Sequence, residues 1–293
     1  MEGMTRRFDH DGHAVVWGDA VEALVDEVAD SSVKLIFADP PYNIGKQFST
    51  FHDSWPSADA YAKWCFEWID LCLTKLQVDG SMYVMSSTEA MPLIDLFVRE
   101  RAHILSRIVW AYDSSGVQAR RYFGSLWEPI LHIVKDPKAY TFNDTAIQVE
   151  ARTGAQRRLI DYRKSEPAPY NTTKVPGNVW NFPRVRYRMP EYEEHPSQKP
   201  EALLERIILA SSNPGDVVLD PFSGTFTTSA VAKRLGRRSI GIERERAYVE
   251  IGLRRVGVAT ELDGFVLTRP TKRTARKNGS ARVSCNDETL DLS

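Results

Sequence analysis

Short apolar runs alternate with amphipathic helical patterns along most of this chain, and no other feature of the sequence restricts the fold as strongly. The pattern predicts strands at 13–20, 33–42, 81–87, 104–112, 128–136, 217–220 and 238–243. Helices are expected to begin near Ser57, Glu89, Lys199, Thr225 and Arg246. Strands that alternate with helices join through βαβ units, so the sequence predicts an α/β protein with a mostly parallel sheet.

Two parts of the chain depart from this alternation. The runs 104–112 and 128–136 have no long helix between them, so we expect them to form an antiparallel pair at one edge of the sheet. From 139 to 194 the chain is rich in Pro, Asn, Arg and aromatic residues without a clear period. Because an irregular stretch of this length is uncommon in a compact domain unless it has a function, we interpret it as an inserted recognition region. The basic stretch 263–293 is expected to be a disordered tail.

Composition excludes several classes of protein. No apolar run reaches the roughly 18 residues that a membrane span requires, so no membrane association is expected. Cys65, Cys72 and Cys285 form no CxxC pair and no pattern with histidines. We therefore expect neither a metal site nor a disulfide framework, and we expect a cytoplasmic location. The formal net charge of −1 gives no indication of nucleic acid, so basic clusters gain meaning only beside a chemical site.

The stretch "DPFSGTFTT", from Asp220 to Thr228, lies at a predicted strand-to-helix junction. Its glycine allows close backbone approach, and the N-terminus of the following helix offers unpaired N–H groups. Glu243 ends the next strand, where a carboxylate can accept hydrogen bonds from ribose hydroxyls. The chain has neither G-x-G-x-x-G nor G-x-x-x-x-G-K-[ST], so the loop indicates a nucleotide-like ligand but is neither a dinucleotide fingerprint nor a P-loop.

The predicted strand 33–42 ends in Asp39-Pro40-Pro41-Tyr42. The two proline rings fix φ and remove two backbone donors, which leaves the Pro40 carbonyl able to accept from a ligand. Asp39 and this carbonyl would form two acceptors that suit an –NH₂ group, and Tyr42 offers a ring face for stacking. Ligands of open α/β sheets bind outside the carboxyl ends of strands. If the strands ending in Asp39 and Asp220 flank that point, the pair fits the exocyclic amine of a flipped nucleobase.

Taken together, "DPPYNIG", "DPFSGTFTTSAVAKRLGR" and "GIE" resemble the motifs of S-adenosylmethionine-dependent DNA amino-methyltransferases. Their order resembles the β class of that family, and most closely its adenine-N6 members. The resemblance covers most of the chain up to about residue 260. It implies a doubly wound, Rossmann-like sheet in which a catalytic half, 1–138, and an inserted target-recognition region, 139–194, precede a cofactor half, 195–262. It also implies S-adenosylmethionine as the cofactor and double-stranded DNA as the partner.

The resemblance also assigns roles to individual residues. The catalytic motif matches Asp39, Pro40, Pro41 and Tyr42. The residues expected at the cofactor are Asp19, Gln198, Lys199, Asp220, Phe222, Gly224, Thr225 and Glu243. Phe226 stands where the family usually has a second glycine. The arginines expected to contact DNA phosphates are Arg152, Arg157, Arg158, Arg184, Arg186 and Arg188.

Several activities remain compatible with these motifs. Adenine-N6 methylation is favoured because Asp rather than Ser opens the catalytic motif, as the resemblance implies, but the same two acceptors would suit the cytosine-N4 amine. Methylation of RNA or of a protein amide, and a DNA-binding relic without activity, are further alternatives. Carbon-5 cytosine methylation is excluded because no cysteine occupies the nucleophile position that it needs. We also expect association with the nucleoid, and a homodimer would suit a palindromic target.

Overall fold

Nine strands form one sheet in the computed structural model, which describes residues 5–48, 50, 52–113, 120–151, 160–163 and 165–267. The strands in chain order are β1 (Arg6–His10), β2 (His13–Trp17), β3 (Val33–Ala38), β4 (Leu76–Met85), β5 (His103–Ala111), β6 (Trp127–Val134), β7 (Val149–Glu150), β8 (Ile160–Asp161), β9 (Ala168–Pro169), β10 (Thr173–Lys174), β11 (Val179–Asn181), β12 (Val217–Asp220), β13 (Arg238–Glu243), β14 (Glu261–Leu262) and β15 (Phe265–Val266). The helices are α1 (Ala20–Glu27), α2 (Ala58–Lys75), α3 (Met91–Arg99), α4 (Glu201–Ser211), α5 (Thr227–Arg234) and α6 (Arg246–Val256), and a 3₁₀ helix covers Asp144–Ile147. The main sheet has the order β1-β2-β13-β12-β3-β4-β6-β5-β11.

The sheet confirms the predicted α/β architecture. From β2 through β13, β12 and β3 to β4, all neighbouring strands are parallel. As predicted, β5 and β6 form an antiparallel pair. β6 is also antiparallel to β4, so the reversed strand lies inside the sheet and not at its edge, because β5 and β11 extend the sheet beyond it.

The two halves of the chain meet where β3 lies beside β12. Leu35 pairs with Val218 in parallel register, and Ile36 pairs with Leu219. The carboxyl ends of both strands therefore open at the same edge of the sheet, at the point where the strand order reverses. The amine-pocket prediction required that the strands leading to Asp39 and Asp220 be neighbours. This condition is met, because Asp39 directly follows β3 and Asp220 ends β12.

The central strand β3 is buried along its whole length, as expected for a parallel strand that is covered on both faces. Ile36 and Ala38 pack into a cluster with residues of α1, α2 and α3. Leu35 and Phe37 belong to a second cluster with residues of α4 and α5, as the alternation of side chains along a strand requires. Packing on both faces therefore fixes the place at which Asp39 emerges.

The sequence patterns do not predict β1 and β11. β1 forms a hairpin with β2 through Asp11 and Gly12, which both have positive φ, and an Asp-Gly pair is a common signal for such a turn. β11 lies inside the stretch interpreted as irregular, yet it pairs with β5 and buries Trp180 beside Trp110. The stretch is thus joined to the main sheet, and its role as a separate recognition region stays a prediction.

At the end of the described chain, β14 and β15 form a short hairpin, so the ordered part continues past the predicted boundary at 263. The rest of the predicted tail, from 268 to 293, lies outside the described residues. None of the helices in the described ranges is long and apolar enough to cross a membrane.

Candidate active site

A cavity of about 370 Å³ opens at the carboxyl ends of β3 and β12. This volume lies within the usual range for small-molecule sites, about 300–1,000 Å³. The turn after β3 and the loop after β12 both line the cavity, so the structure brings the two predicted motifs together. All predicted catalytic and cofactor residues line it, namely Asp19, Asp39, Pro40, Pro41, Tyr42, Gln198, Lys199, Asp220, Phe222, Gly224, Thr225 and Glu243.

Asp39 lies at the centre of a charged network in this cavity. Its Oδ1 accepts a hydrogen bond from the Tyr42 hydroxyl at 2.6 Å, and its Oδ2 lies 2.5 Å from Nζ of Lys199. The side chains of Asp39 and Lys199 are only 16% and 8% exposed. Burial opposes the charge on Lys199, but the carboxylates of Asp39 and Glu128 outweigh that effect and raise its pKa. Lys199 is therefore a buried cation paired with Asp39.

Glu128, the second residue of β6, is the member of this network that the sequence patterns miss. Its Oε2 lies 3.0 Å from the Tyr42 hydroxyl and 3.7 Å from Nζ of Lys199, and its Oε1 lies 3.3 Å from the Tyr112 hydroxyl. A phenol carries one proton, so Tyr42 donates fully to only one of the two carboxylates at a time. Burial, together with Asp39 and Glu128, raises the pKa of Tyr42 far above its usual value, which keeps it a neutral donor. The only signal in the sequence is one acid near the start of a mostly apolar strand.

The turn from Asp39 to Tyr42 is held by hydrogen bonds to Tyr61 and Asp53. The Pro41 carbonyl accepts a hydrogen bond from the Tyr61 hydroxyl at 2.9 Å, and the buried carboxylate of Asp53 accepts from the Tyr42 N–H at 3.2 Å. Within the described residues, no hydrogen bond occupies the Pro40 carbonyl. The turn therefore presents the Asp39 carboxylate and one unoccupied carbonyl to the cavity.

The carboxylate of Asp220 is bonded within its own loop. Its Oδ1 accepts from the Phe222 N–H at 3.0 Å, and its Oδ2 accepts from the Thr228 hydroxyl at 2.5 Å. Burial raises the pKa of Asp220 to about 7. Asp220 therefore holds the turn between β12 and α5, and a direct contact with the cofactor stays a prediction.

Glu243 binds the glycine of the same loop. Its Oε2 accepts from the Gly224 N–H at 2.8 Å, and its Oε1 accepts from the Glu245 N–H at 2.8 Å. Gly224 has a φ of +49°, and a Cβ there would lie 3.1 Å from Nε2 of His195, so the loop requires glycine at this position. Burial raises the pKa of Glu243 to about 7. Each carboxylate oxygen retains a lone pair that can accept from a hydroxyl group.

Phe226 takes the backbone conformation of the glycine that it replaces, with φ 57° and ψ 35°. Its ring is fully buried, and two glycines of neighbouring elements make room for it. A Cβ at Gly241 would lie 2.6 Å from the ring, and a Cβ at Gly252 would lie 2.3 Å from it. Because Phe226 is left-handed, α5 begins at Thr227, two residues later than predicted.

The segment "HPSQKP", His195 to Pro200 and called the HPSQKP block below, faces the cavity, but its polar side chains have partners within the protein. Oε1 of Gln198 accepts from the Glu193 N–H at 2.8 Å, and its Nε2 donates to the Glu191 carbonyl at 2.7 Å. Burial, and then the positive charges of Lys199 and Lys46, lower the pKa of His195 to about 3, so this histidine is neutral. In this structure Gln198 orders the block and Lys199 pairs with Asp39, and their contacts with a cofactor stay predictions.

Three other cofactor candidates also have partners within the protein. Asp19 caps α1 by accepting from the Val21 N–H at 2.9 Å. The ring of Phe222 packs edge-on against Trp68, and the Thr225 carbonyl accepts from the Arg255 guanidinium at 3.1 Å. These contacts explain how the residues are positioned at the cavity wall.

The arginines predicted to contact DNA fall into three groups. Arg152, Arg157 and Arg158 lie outside the described residues. Arg184 lines the cavity, with its guanidinium carbon 4.8 Å from the centre of the Tyr112 ring. Arg186 and Arg188 are exposed to solvent. Among the described members, only Arg184 lies at the catalytic cavity itself.

The groups that line the cavity fit S-adenosylmethionine. Glu243 pairs with Trp17 at the ends of neighbouring strands, and Asp19 follows Trp17 closely in the chain. The acids Asp19 and Glu243 therefore lie on one side of the cavity, where amine and hydroxyl donors of an adenosine can bind. Gly224 allows close approach of the ligand, and the surrounding carboxylates suit a positively charged sulfonium. Fold and site together define a methyltransferase of the S-adenosylmethionine-dependent class, and the turn from Asp39 to Tyr42 remains its predicted amine pocket.

Comparisons with known proteins are consistent with this class. A family model of the N6_N4 type, described as DNA methylase, matches residues 33–254. The chain is 56% identical over 285 residues to a protein of Escherichia coli (strain K12) named DNA adenine methyltransferase YhdJ, covering 97% of this chain and 96% of the relative. It therefore belongs to the N6_N4 DNA methylase family.

Solved structures share the fold. The M1.HpyAVI–SAM complex superposes with a TM-score of 0.58 at 25% identity, covering 83% of this chain and 98% of that chain. The cytosine-N4-specific PvuII DNA methyltransferase superposes with a TM-score of 0.63 at 17% identity, covering 84% of this chain and 86% of that one. The likeness to the PvuII enzyme concerns the fold alone, so it does not decide which base is modified.

Proposed function

We propose that this chain transfers a methyl group from S-adenosylmethionine to the exocyclic N6 amine of a flipped adenine in double-stranded DNA. One observation carries the proposal: Asp39 and the Pro40 carbonyl, which accepts no hydrogen bond within the described residues, belong to a turn that lines the same cavity as the glycine loop after β12. The name of the relative at 56% identity supports adenine over cytosine-N4, RNA and protein amides.

The catalytic turn acts on an amine that is a poor nucleophile, because its lone pair is conjugated with the base ring. Asp39 and the Pro40 carbonyl accept hydrogen bonds from its two N–H groups, which favours a pyramidal nitrogen. The Asp39 carboxylate then stabilises the positive charge that develops on this nitrogen and lies where it can accept the proton that the amine must lose. When bound, S-adenosylmethionine supplies the electrophilic methyl group.

Lys199 acts as a positioning residue for Asp39. Its ammonium lies 2.5 Å from Oδ2, and this ion pair fixes the orientation of the carboxylate. Glu128 keeps Lys199 charged and, with Asp39, holds the Tyr42 hydroxyl. The ring of Tyr42 is thereby fixed beside the amine pocket, where it can stack on the target base.

The cofactor is held by the other half of the cavity. We assign Asp19 and Glu243 to the polar groups of its adenosine, Phe222 and Gly224 to close contacts with it, and Gln198 to ordering of the wall beside it. Thr225 and Asp220 support the loop through contacts within the protein.

The DNA face includes the predicted recognition region, 139–194, between the catalytic half, 1–138, and the cofactor half, 195–262. Its arginines, among them Arg186 and Arg188, are assigned to phosphate contacts. A homodimer would present two such faces to a palindromic site, and the protein would act in the cytoplasm on nucleoid DNA.

The test is incubation of the purified chain with labelled S-adenosylmethionine and unmethylated genomic DNA, followed by nucleoside analysis. We expect label in N6-methyl-2′-deoxyadenosine, with Asp39→Ala as the inactive control. Label in N4-methyl-2′-deoxycytidine would show that the target is cytosine and not adenine, and an absence of label in DNA would overturn the proposal.

A further inference from the structure

A segment at the mouth of the cavity, residues 120–127, combines positive charge with aromatic rings that are fully in solvent. It begins with Arg120 and Arg121 and continues with Tyr122 and Phe123, whose exposed fractions are 71% and 103%. Apolar rings gathered on a surface in this way mark an interaction site more often than scattered single residues do. Neither arginine pairs with a carboxylate within the part of the chain that the structure describes.

This segment is joined directly to the catalytic network. The Tyr112 N–H donates to the Leu126 carbonyl at 2.9 Å, and Ser125 and Trp127 line the same cavity as Asp39. Glu128, which follows the segment, lies 3.0 Å from the Tyr42 hydroxyl. Phe123 is five residues from Glu128, and five residues span at most about 18 Å. Phe123 therefore lies within about 18 Å of Glu128, in a segment whose last residues line the cavity.

A flipped base leaves a gap in the duplex, and loss of stacking at that gap opposes flipping. Apolar side chains that enter between bases can replace part of the lost stacking, and arginines beside them can bind the phosphates on either side. The segment offers both groups within four consecutive residues, Arg120 to Phe123.

We propose that residues 120–127 form a wedge for duplex DNA, in which Phe123 fills the space vacated by the flipped adenine. Arg120 and Arg121 bind the flanking phosphates. The proposal rests on the proposed function, because it presupposes that the amine pocket receives a base from a duplex. The uncompensated arginines favour a polyanion over a second copy of the chain as the occupant of this surface.

The test compares two duplexes. The methylated site is first mapped by sequencing plasmid DNA that has been treated with the wild-type protein. In one duplex the target adenine of this site is paired with thymine. In the other duplex the target adenine lies opposite an abasic position, where flipping is easier. We expect Phe123→Ala to lower kcat/KM on the paired duplex about 10- to 100-fold, since flipping opposes the reaction by a few kcal/mol. On the abasic duplex it should remain within about threefold of the wild type.

Phe265→Ala serves as the matched control, because Phe265 is also exposed, at 71%, and its hairpin is tied through Asp263 to β1 at the opposite edge of the sheet. Thermal unfolding should be unchanged in both variants, and sedimentation reports the oligomeric state.

Unchanged activity of Phe123→Ala on the paired duplex would overturn the wedge, as would an equal loss on both duplexes. A loss accompanied by dissociation of a dimer would assign the surface to a contact between two chains and overturn it as well. If the wild type transferred no methyl to DNA at all, the proposed function would fall, and the wedge with it.

Discussion

Two turns of similar composition follow neighbouring strands of the sheet, yet their aspartates have different surroundings. Asp220, followed by Pro221 and Phe222, gives both carboxylate oxygens to its own loop. Asp39, followed by Pro40 and Pro41, gives one oxygen to Tyr42 of its own turn and the other to the ammonium of Lys199, which is distant in sequence. An Asp-Pro sequence therefore does not define a role, and the ion pair with Lys199 distinguishes the proposed catalytic acid from the acid that holds its own turn.

The largest expected effect is that of Asp39→Ala. Removal of the acceptor for the target amine should lower the single-turnover rate of methyl transfer about 10³-fold or more, because the charge on the nitrogen loses its stabilisation. Calorimetry should show nearly unchanged affinity for S-adenosylmethionine. A variant that retained a substantial rate would remove the distinction between the two turns.

Lys199→Met should have the next largest effect, a decrease of about 10²-fold in kcat, because Asp39 loses the ion pair that orients it. Lys199→Arg, which keeps the positive charge beside Asp39, should recover most of the lost kcat, and calorimetry should show the wild-type affinity for S-adenosylmethionine in both variants. A loss of S-adenosylmethionine affinity with little change in kcat would instead support the predicted contact between Lys199 and the cofactor.

Gly252→Ala should act on the loop of Asp220 through packing. The added methyl would lie 2.3 Å from the Phe226 ring, and overpacking of this kind costs about 1–3 kcal/mol. Urea unfolding should show the loss, and adding Phe226→Leu should recover part of it, because the smaller side chain makes room for the methyl group. Strictly additive effects in the double variant would show that the ring and the glycine are not coupled.

The smallest effect on methyl transfer is expected for Asp220→Asn, no more than about threefold, because the amide can bond the same N–H and hydroxyl groups. The main effect of the substitution should instead be on the pH dependence of the free energy of unfolding. The pKa of Asp220 is raised to about 7 in the folded protein, so the native state binds more protons than the unfolded state between about pH 4 and 7, and wild-type stability falls as pH rises through that range.

Asp220→Asn should lack the part of this decrease in stability that comes from Asp220. Urea midpoints at pH 5 and pH 8 measure it, with the wild type as reference. The same pH dependence in both proteins would contradict the structural role of Asp220.

The sequence predicts the sheet and the motif positions because periodicity and Asp-Pro turns are local signals. β12 and β13 have their predicted bounds, whereas β3 begins as predicted but ends at Ala38, four residues early, because the Asp-Pro-Pro-Tyr turn is not part of the strand. The order of motifs indicates that the ends of these strands meet. The network around Asp39 is harder to predict from the sequence. Glu128 enters the cavity from an antiparallel strand, 89 residues further along the chain. β11 escapes prediction because three residues are too few to show a period.

Phe226 illustrates a different limit. In the sequence, phenylalanine at a glycine position argues against the usual geometry of the loop. In the structure, space supplied by Gly241 and Gly252 lets the ring be buried while the backbone of Phe226 stays left-handed. This compensation involves elements that are distant in sequence, so it becomes visible only in three dimensions.

The most direct test of the division between the two turns is a crystal structure with a non-reactive analogue of S-adenosylmethionine and a duplex that contains the mapped site. We predict a flipped adenine with its N6 about 3 Å from both the Asp39 carboxylate and the Pro40 carbonyl, and with its ring against Tyr42. The bonds of Asp220 to Phe222 and Thr228 should remain as they are. An N6 group bound elsewhere, or an Asp220 carboxylate turned to the base, would contradict the roles assigned to both turns.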